Sequence, residues 1–359
     1  MLTEKDDKIQ QELLPVISKL ILGIIVLVIG LIVMPVVFYY SKQTGKPKEK
    51  VITTDVPVMA VKKDGAGYWI APDVGTISDP KQKAQVEYGK ELIAHTAKYL
   101  GPNGSVLQIS NGLNCQNCHL QAGAAIFGNN YGSVASLYPK FRARSGTTEN
   151  IYRRVNDCFE RSLNGKAIDT AGVEMQALVA YINFLGTNVK KGKTAEGSGL
   201  KDISFLDRSA DSAKGSIVYT SKCQSCHQAN GEGLFNKEKT EYIYPALWGK
   251  NSFNDGAGLY RLSNFAKYVK YNMPQGVTHQ NPQLSDEEAW DVAAFINAQP
   301  RPHLDVPRDW PDMARKPFDH PFGPYGDSFS QKQHKVGPFK SIIEGQNKRD
   351  AIAKSEKKS

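Results

Sequence analysis

The sequence contains two copies of the pattern Cys-x-x-Cys-His, a spacing with a specific chemistry. Their members are Cys115, Cys118 and His119 in the first copy, and Cys223, Cys226 and His227 in the second. In c-type haem attachment, two thiols add across the haem vinyl groups and the histidine that follows becomes the proximal iron ligand. A zinc site or a redox dithiol is the alternative reading, but no other C-x-x-C pair could complete a zinc cage. The motifs therefore predict two covalently bound haem c groups.

One cysteine is left over. The chain has five cysteines, and haem attachment uses four of them, so Cys158 has no partner for a disulfide within the chain. An unpaired cysteine in an exported protein indicates either a buried inert thiol or a thiol that reacts or binds a metal.

Each motif needs helices to position it, and the two halves of the chain supply them in the same order. Residues 84–100 and 209–219 have helical patterns and precede the motifs, and the similar segments 177–183 and 292–297 follow them. The second closing segment is preceded by Ser285-Asp-Glu-Glu288, a capping box. The repeat predicts an all-α fold with two cytochrome c domains in tandem.

The repeat also predicts the second axial ligands. Met273 precedes Phe295 by 22 residues, and Cys158 precedes the equivalent Tyr181 by 23. A methionine before a proline, ahead of the closing helix, is typical of a haem thioether ligand, so we expect His227 and Met273 on the second iron. For the first iron, the register favours His119 and Cys158, and Met175 remains an alternative.

Thiolate and thioether ligands have opposite effects on a haem. Thiolate stabilises the oxidised iron and thioether the reduced iron, so electrons should run from the first haem to the second. Cys158 also lies in a basic stretch, which contains Arg142, Arg144, Arg153, Arg154 and Arg161. Arginines often lie on solvated faces, but they also hold tetrahedral oxyanions in bidentate fashion. The combination predicts a redox site for an oxidised-sulfur dianion.

An uncharged, mostly apolar run at 20–40 is long enough to cross a bilayer as one helix. The alternative is a cleaved signal peptide, but the run exceeds the usual apolar core and lacks a small-x-small cleavage site. We expect a single-pass anchor in the inner (cytoplasmic) membrane with both haem domains in the periplasm. Haem attachment occurs outside the cytoplasm, so the net charge of +9 does not indicate a nucleic acid partner and fits an anionic substrate.

These features predict seven segments. They are a cytoplasmic segment at 1–19, the anchor at 20–40, a tether at 41–80, the first cytochrome c domain at 81–190, a linker at 191–207, the second domain at 208–300, and an extension at 301–359 that wraps the domains and ends in disorder after Gly345.

Five segments give the chain a more specific resemblance, because their order and spacing are distinctive. They are 115–123, 142–146, 154–166, 272–274 and 333–339. Here the sequence resembles the thiosulfate dehydrogenase family of dihaem cytochromes c over about 84–339. The resemblance implies that two thiosulfates are joined to tetrathionate, that Cys158 is the distal ligand of the first haem at the active site, and that Arg144 and Arg154 hold substrate. It also implies electron transfer through the second haem to an external cytochrome c or a membrane oxidase.

Some relatives exchange the methionine of the second haem for an adjacent lysine. Here the neighbour of Met273 is Asn272, and Lys270 is the nearest substitute. Three other functions stay open. They are tetrathionate reduction by the same site, electron transfer by a membrane-anchored carrier without substrate chemistry, and oxidation of sulfur held on a carrier protein.

Overall fold

The computed structural model describes residues 65–356, together with eight helical residues near the N-terminus, namely Lys19, Leu20, Leu22, Gly23, Leu27, Leu31, Val33 and Met34. Among these residues, no helix combines the length and the apolarity that crossing a bilayer requires. Most of the anchor predicted at 20–40, and the tether up to residue 64, lie outside the described residues.

The fold is built mainly from helices. Within the described residues, the helices of more than one turn are α1 Pro80–Ala94, α2 Thr96–Leu100, α3 Ile151–Arg161, α4 Val173–Leu185, α5 Ser212–Lys222, α6 Leu262–Asn272, α7 Asp286–Ala298, α8 Gln331–Val336 and α9 Lys340–Glu356. Shorter helical turns occur at Val74–Thr76, Cys115–Asn117, Leu120–Gly123, Val134–Leu137, Gln224–His227, Gly258–Tyr260 and Met313–Arg315.

Two small antiparallel hairpins depart from the all-α prediction. They are β1 Lys140–Arg142 with β2 Thr147–Glu149, and β3 Leu234–Phe235 with β4 Tyr242–Tyr244. The first hairpin leads directly into α3, whose N-cap Asn150 accepts a hydrogen bond from the Arg153 amide at 2.9 Å. The hairpin turn thereby comes close to the helix that carries Cys158.

The predicted repeat is present as two crossed helix pairs. A Cβ on Gly89 of α1 would lie 2.0 Å from the carbonyl oxygen of Ala177 in α4, and one on Gly215 of α5 would lie 1.9 Å from that of Asp291 in α7. Both helix pairs therefore touch backbone to backbone at a glycine. The opening helices are capped alike, by the carboxylates of Asp79 and Asp211, and the predicted capping box at Ser285 is present.

The first core extends beyond the predicted boundaries of its domain. Trp69, in the predicted tether, is 1% exposed in this core, and its indole N–H donates to Asn188 at 2.7 Å. The predicted linker is also packed, because the Phe127 amide donates to the carbonyl of Gly197. An indole that finds an apolar pocket and a hydrogen-bond acceptor outweighs the loop-like composition around it.

The predicted extension packs against the second core, and the structure of its end differs from the predicted disorder. Phe339 and Ile342 are buried in the second core, and α9 continues to Glu356. The charged stretch after Gly345 is therefore helical over most of its length rather than disordered. Ile342 anchors the start of α9, and Arg349 donates to the carbonyl of Ala314 at 2.6 Å, so tertiary contacts stabilise a helix that composition does not predict.

Candidate functional site

The first Cys-x-x-Cys-His motif forms a tight turn beside α2. The amide of Cys115 donates to the hydroxyl of Thr96 at 2.9 Å, and Asn114 caps the turn. The Nδ1 of His119 lies 2.6 Å from the carbonyl oxygen of Asn129. A carbonyl can only accept, so Nδ1 carries the proton and Nε2 is left with its lone pair, as an iron ligand requires.

The second motif repeats this arrangement. His227 ends the turn Gln224–His227, and its Nδ1 lies 2.8 Å from the carbonyl oxygen of Pro245. Burial lowers the pKa of His227, and the Pro245 carbonyl opposes this. Burial also lowers the pKa of His119 to about 4, with the Asn129 carbonyl opposing and the Arg154 guanidinium adding to the effect. Burial therefore favours the neutral form of both imidazoles, which is the form that binds a metal.

The residues present fit two haem c groups. None of the four motif cysteines is in a disulfide, each pair precedes a histidine with a fixed tautomer, and the motifs stand in equivalent places of two similar helical domains. The acceptors for Nδ1 are backbone carbonyls, which leave no signature in a sequence. Sequence reasoning for this reason found the ligands but missed Asn129 and Pro245, which orient them.

Cys158 lies on α3, close to the first motif. Burial raises the pKa of the Cys115 thiol to about 12, with the Thr96 hydroxyl opposing and Cys158 adding to the rise. Cys158 adds in the same way to the raised pKa of Cys118. The other candidate ligand, Met175, is fully buried in the first core, at the start of α4.

Arg154 lies one helical turn before Cys158, on the same face of α3. The pKa of Arg154 is raised, and the largest cause is the negative charge of the Cys158 thiolate, with burial opposing. The side-chain N–H groups of Arg154 donate to no residue that the structure describes. A half-buried guanidinium beside Cys158, with its donors free, can bind an oxyanion at that position.

Arg144 lies in the turn of the first hairpin and extends the same positive region. Burial, together with the charges of Arg161 and Arg154, lowers its pKa to about 10, with Asp309 opposing. Three guanidiniums therefore lie close together. Its Nε lies 3.9 Å from the carboxylate of Asp309, beyond hydrogen-bond distance. Arg144 therefore also keeps its donors available.

The other arginines of the basic stretch differ in their partners. Arg161 donates to Asp309 at 2.9 Å and to the carbonyl of Gly256 at 3.4 Å, so it joins α3 to the second domain and the extension. Arg153 is 57% exposed and pairs with Asp157.

Arg142 is half-buried on β1 and lies near Tyr138. Burial raises the pKa of Tyr138, and the positive charges of Arg142 and Arg154 oppose this rise. Sequence reasoning assigned no role to Tyr138, and an isolated tyrosine before a proline offers no signal for one.

The extension completes this site from a distant part of the sequence. The amide of Trp310 donates to the carbonyl of Arg144 at 2.7 Å, and the Arg144 guanidinium lies over the indole ring, 5.9 Å from its centroid. Trp310 has a positive φ of 60°, which is strained for a bulky side chain. A cavity opens at Arg144, and its walls include Asp255, Tyr260, Arg261, Asp309, His320 and Phe322.

Met273 is associated with the second motif. It directly follows α6, where its amide donates to the carbonyl of Val269, and it packs against the same core as Cys223. The nearby Lys270 is held elsewhere, because its Nζ donates to the carbonyl of Leu284 at 2.5 Å and pairs with Asp286 at 2.9 Å. The structure thus keeps Met273 with the second motif and commits Lys270 to other partners.

Comparisons with protein families match both halves of the chain. Residues 107–190 match the SoxA/TsdA cytochrome c domain, and residues 212–299 match cytochrome c. The first match covers Cys158 and the arginines around it, and the second covers His227 and Met273.

Individual relatives resemble most of the chain. A thiosulfate dehydrogenase from Psychrobacter arcticus is 40% identical over 243 residues, which cover 67% of this chain and 71% of that protein. One from Allochromatium vinosum is 36% identical over 227 residues, covering 60% of this chain and 81% of that protein. A solved structure of the thiosulfate dehydrogenase TsdBA from Marichromatium purpuratum is similar with a TM-score of 0.61 and 30% identity. That similarity covers 66% of this chain and spans half the length of the larger protein.

Proposed function

The chain belongs to the thiosulfate dehydrogenase family and carries two covalently bound haem c groups, and from this we propose that it oxidises two thiosulfates to tetrathionate. The site of this chemistry is the region of Cys158, where His119 and Cys158 would hold the first haem. His227 and Met273 would hold the second haem, which would supply electron transfer to an external acceptor.

The observation that carries the proposal is the pairing of Cys158 with Arg154. The two side chains share one face of α3, and the thiolate of Cys158 is the largest cause of the raised pKa of Arg154. Because Arg154 and the nearby Arg144 donate to no described side chain, five N–H donors on each can hold a sulfonate. An electron carrier without substrate chemistry has no need of two half-buried guanidiniums whose N–H donors are left free beside Cys158.

Binding places the reactive sulfur. The sulfonate oxygens of thiosulfate accept hydrogen bonds from Arg144 and Arg154, and this leaves the outer sulfur free to approach Cys158. The site is partly closed to solvent, because Arg144 is 15% exposed, so each charge-assisted hydrogen bond is stronger than it would be in open water.

The sulfur chemistry then follows in two balanced steps. The Cys158 thiolate and the outer sulfur of thiosulfate form a sulfur–sulfur bond, giving a cysteine–thiosulfonate adduct and releasing two electrons. The bound haem c groups supply two one-electron acceptors for them. A second thiosulfate attacks the outer sulfur of the adduct, which breaks the bond to Cys158, restores the thiolate and releases tetrathionate. No proton is exchanged in either step.

The acceptor and the location belong to the same proposal. We infer that an external cytochrome c or a membrane oxidase takes electrons from the second haem, and that the haem domains work in the periplasm. The apolar run at 20–40 would hold the protein to the inner membrane as a single-pass anchor.

The experiment is the addition of thiosulfate to the purified, oxidised holoprotein while the haem absorption bands are followed. We expect the wild type to reduce its haems and an added acceptor, and Cys158→Ala to lose this response while still binding two haems. If Cys158→Ala kept full thiosulfate-dependent reduction, the mechanism would be wrong. A wild type that stays oxidised with thiosulfate, and also fails to oxidise its reduced haems with tetrathionate, would favour the carrier function.

A further inference from the structure

Two hydrogen bonds that the structure describes connect the attachment turn of the first haem to the second domain: Asn114 donates to the carboxylate of Glu241 at 3.1 Å, and the second bond reaches the motif from the helix that precedes Met273. The hydroxyl of Tyr268 donates to the backbone carbonyl of Asn117 at 2.6 Å, and Asn117 lies between Cys118 and Cys115 in the first motif. The two residues are 151 positions apart. Tyr268 is 4% exposed, so water does not compete for this contact.

The helix that carries Tyr268 also leads to Met273. Tyr268 lies in α6, which ends at Asn272, and Met273 follows directly. Burial raises the pKa of Tyr268 well above its usual value, and Cys118 adds to the rise. The buried hydroxyl of Tyr268 thus contacts the first attachment motif, five residues before the proposed iron ligand of the second domain.

Further contacts hold the segment around Met273 against the first domain. The side-chain amide of Asn272 donates to the carbonyl of Phe127 at 3.2 Å. His279, in the loop after Met273, packs edge-on against the rings of Phe127 and Tyr68 at 5.0 and 5.2 Å. The Met273 segment is therefore fixed against the first domain on both sides, with Tyr268 as the contact that reaches the motif itself.

We propose that Tyr268 is a positioning residue for electron transfer between the two haems, acting through its hydrogen bond to Asn117. The bond provides a short connection from the first attachment motif into the helix that ends at Met273, and it fixes the distance between them. One electron moves from the first haem to the second, so that the first haem becomes oxidised and the second becomes reduced. Tyr268 itself stays neutral, no covalent bond forms or breaks, and no proton is transferred. The inference requires the two haems but not the thiosulfate chemistry.

The test replaces Tyr268 by phenylalanine in the holoprotein and uses Tyr271→Phe as its matched control. Tyr271 lies on the same helix, and its hydroxyl donates to the carbonyl of Asp202 at 3.0 Å, away from the first motif. A light pulse with a flavin as the one-electron donor injects electrons, and the relaxation between the two haems is followed from their separate absorption bands. We expect Tyr268→Phe to slow this relaxation severalfold, because the connection through Asn117 is lost.

Two further readouts separate positioning from general damage. The midpoint potentials of both haems should stay at their wild-type values in Tyr268→Phe, and hydrogen exchange should increase at the amides of the first motif. The Tyr271→Phe variant should match the wild type in all three measurements. An unchanged relaxation rate in Tyr268→Phe, or an equal slowing in Tyr271→Phe, would overturn the proposal.

A rescue variant keeps the proposal testable if phenylalanine disturbs folding. 4-Aminophenylalanine at position 268 retains a donor that reaches the Asn117 carbonyl, so we expect the wild-type rate to return. A slow rate with this donor present would also overturn the proposal. Because the flavin pulse needs no thiosulfate, a failure here is distinct from a failure of the proposed thiosulfate oxidation, in which thiosulfate itself would leave both haems oxidised.

Discussion

The carboxylate of Asp309 lies 2.9 Å from the guanidinium of Arg161, although the two residues are 148 positions apart in the sequence. Arg161 is the last residue of α3, the helix that carries Cys158 and Arg154. Asp309 belongs to the extension, and its neighbour Trp310 holds the backbone of Arg144. The extension is therefore part of the candidate active site, because it fixes the end of α3 and the hairpin turn together.

Asp309→Asn tests this role through stability. The substitution keeps a hydrogen-bond acceptor for Arg161 but removes the charge that balances two largely buried guanidiniums. We expect the free energy of unfolding to fall by about 1–3 kcal/mol, the range for hydrogen bonds to charged groups. Chemical denaturation of the holoprotein measures it. The control is Asp312→Asn, since Asp312 is exposed and pairs with the exposed Arg315, and its effect should stay within about 0.5 kcal/mol. Equal effects of the two variants would contradict a special role for Asp309.

Arg154→Gln tests the binding of substrate. It removes a guanidinium whose donors are free and which lies against Cys158, while Gln keeps a side chain of moderate length. We expect kcat/KM for thiosulfate to fall roughly ten- to a hundredfold, as the loss of hydrogen bonds to a charged group predicts. Steady-state reduction of an added acceptor measures it. Arg153→Gln changes the neighbouring residue, an exposed arginine paired with Asp157, and should alter kcat/KM less than about twofold. A similar loss in both variants would point to general charge rather than to a binding contact at Arg154.

The parts of this molecule that the sequence predicts are those with local or periodic signals. The repeat aligned Tyr181 with Phe295, and the structure places each beside the crossing glycine of its own domain, Gly89 and Gly215. The haem motifs are strictly local, and the capping box at Ser285 is complete within four residues. Such patterns fix helices and their pairing because backbone geometry repeats along the chain.

The parts that the sequence does not predict depend on contacts between distant segments. Asp309 and Trp310 reach Arg144 from another region of the chain, and nothing in the composition of the extension specifies that target. The backbone carbonyls of Asn129 and Asn117 accept decisive hydrogen bonds, but a carbonyl is present in every residue. The composition of 41–80, rich in Lys, Thr, Pro, Gly and Asp, assigns Trp69 to a tether, whereas the residue packs in the first core and donates to the distant Asn188.

Met273→Ala tests the proposed ligand of the second haem. Loss of the thioether removes the ligand that favours reduced iron, so the midpoint potential of the second haem should fall by a sizeable part of the ~0.8 V range that axial ligands cover. Redox titration followed by absorption measures it. The first haem should keep its potential, because Met273 packs in the second core. A second haem with an unchanged potential would show that another residue binds its iron.

Met175→Leu provides the corresponding test at the first haem. Met175 is fully buried in the first core, and leucine conserves its volume, so the cost in stability should stay below about 1.5 kcal/mol. If Cys158 is the distal ligand, the first haem keeps its absorption spectrum and its potential in this variant. A changed spectrum in Met175→Leu together with an unchanged one in Cys158→Ala would transfer the ligand role to Met175.

Gly89→Ala and Gly215→Ala test whether the two helix crossings are equivalent. A Cβ at either position would overlap severely with a backbone carbonyl oxygen, 2.0 Å from that of Ala177 and 1.9 Å from that of Asp291, so the helices must separate. We expect each variant to lose about 1–3 kcal/mol of unfolding free energy through overpacking, in excess of the helix propensity gained, which is at most about 1 kcal/mol. Denaturation measured with the haems bound gives the value. Gly258→Ala is the control, because no atom lies within 4 Å of its Cβ position, and it should be nearly neutral. If Gly89→Ala kept the wild-type free energy of unfolding while Gly215→Ala lost stability, the two helix crossings would not be equivalent. The first domain would then tolerate a wider helix crossing than the second.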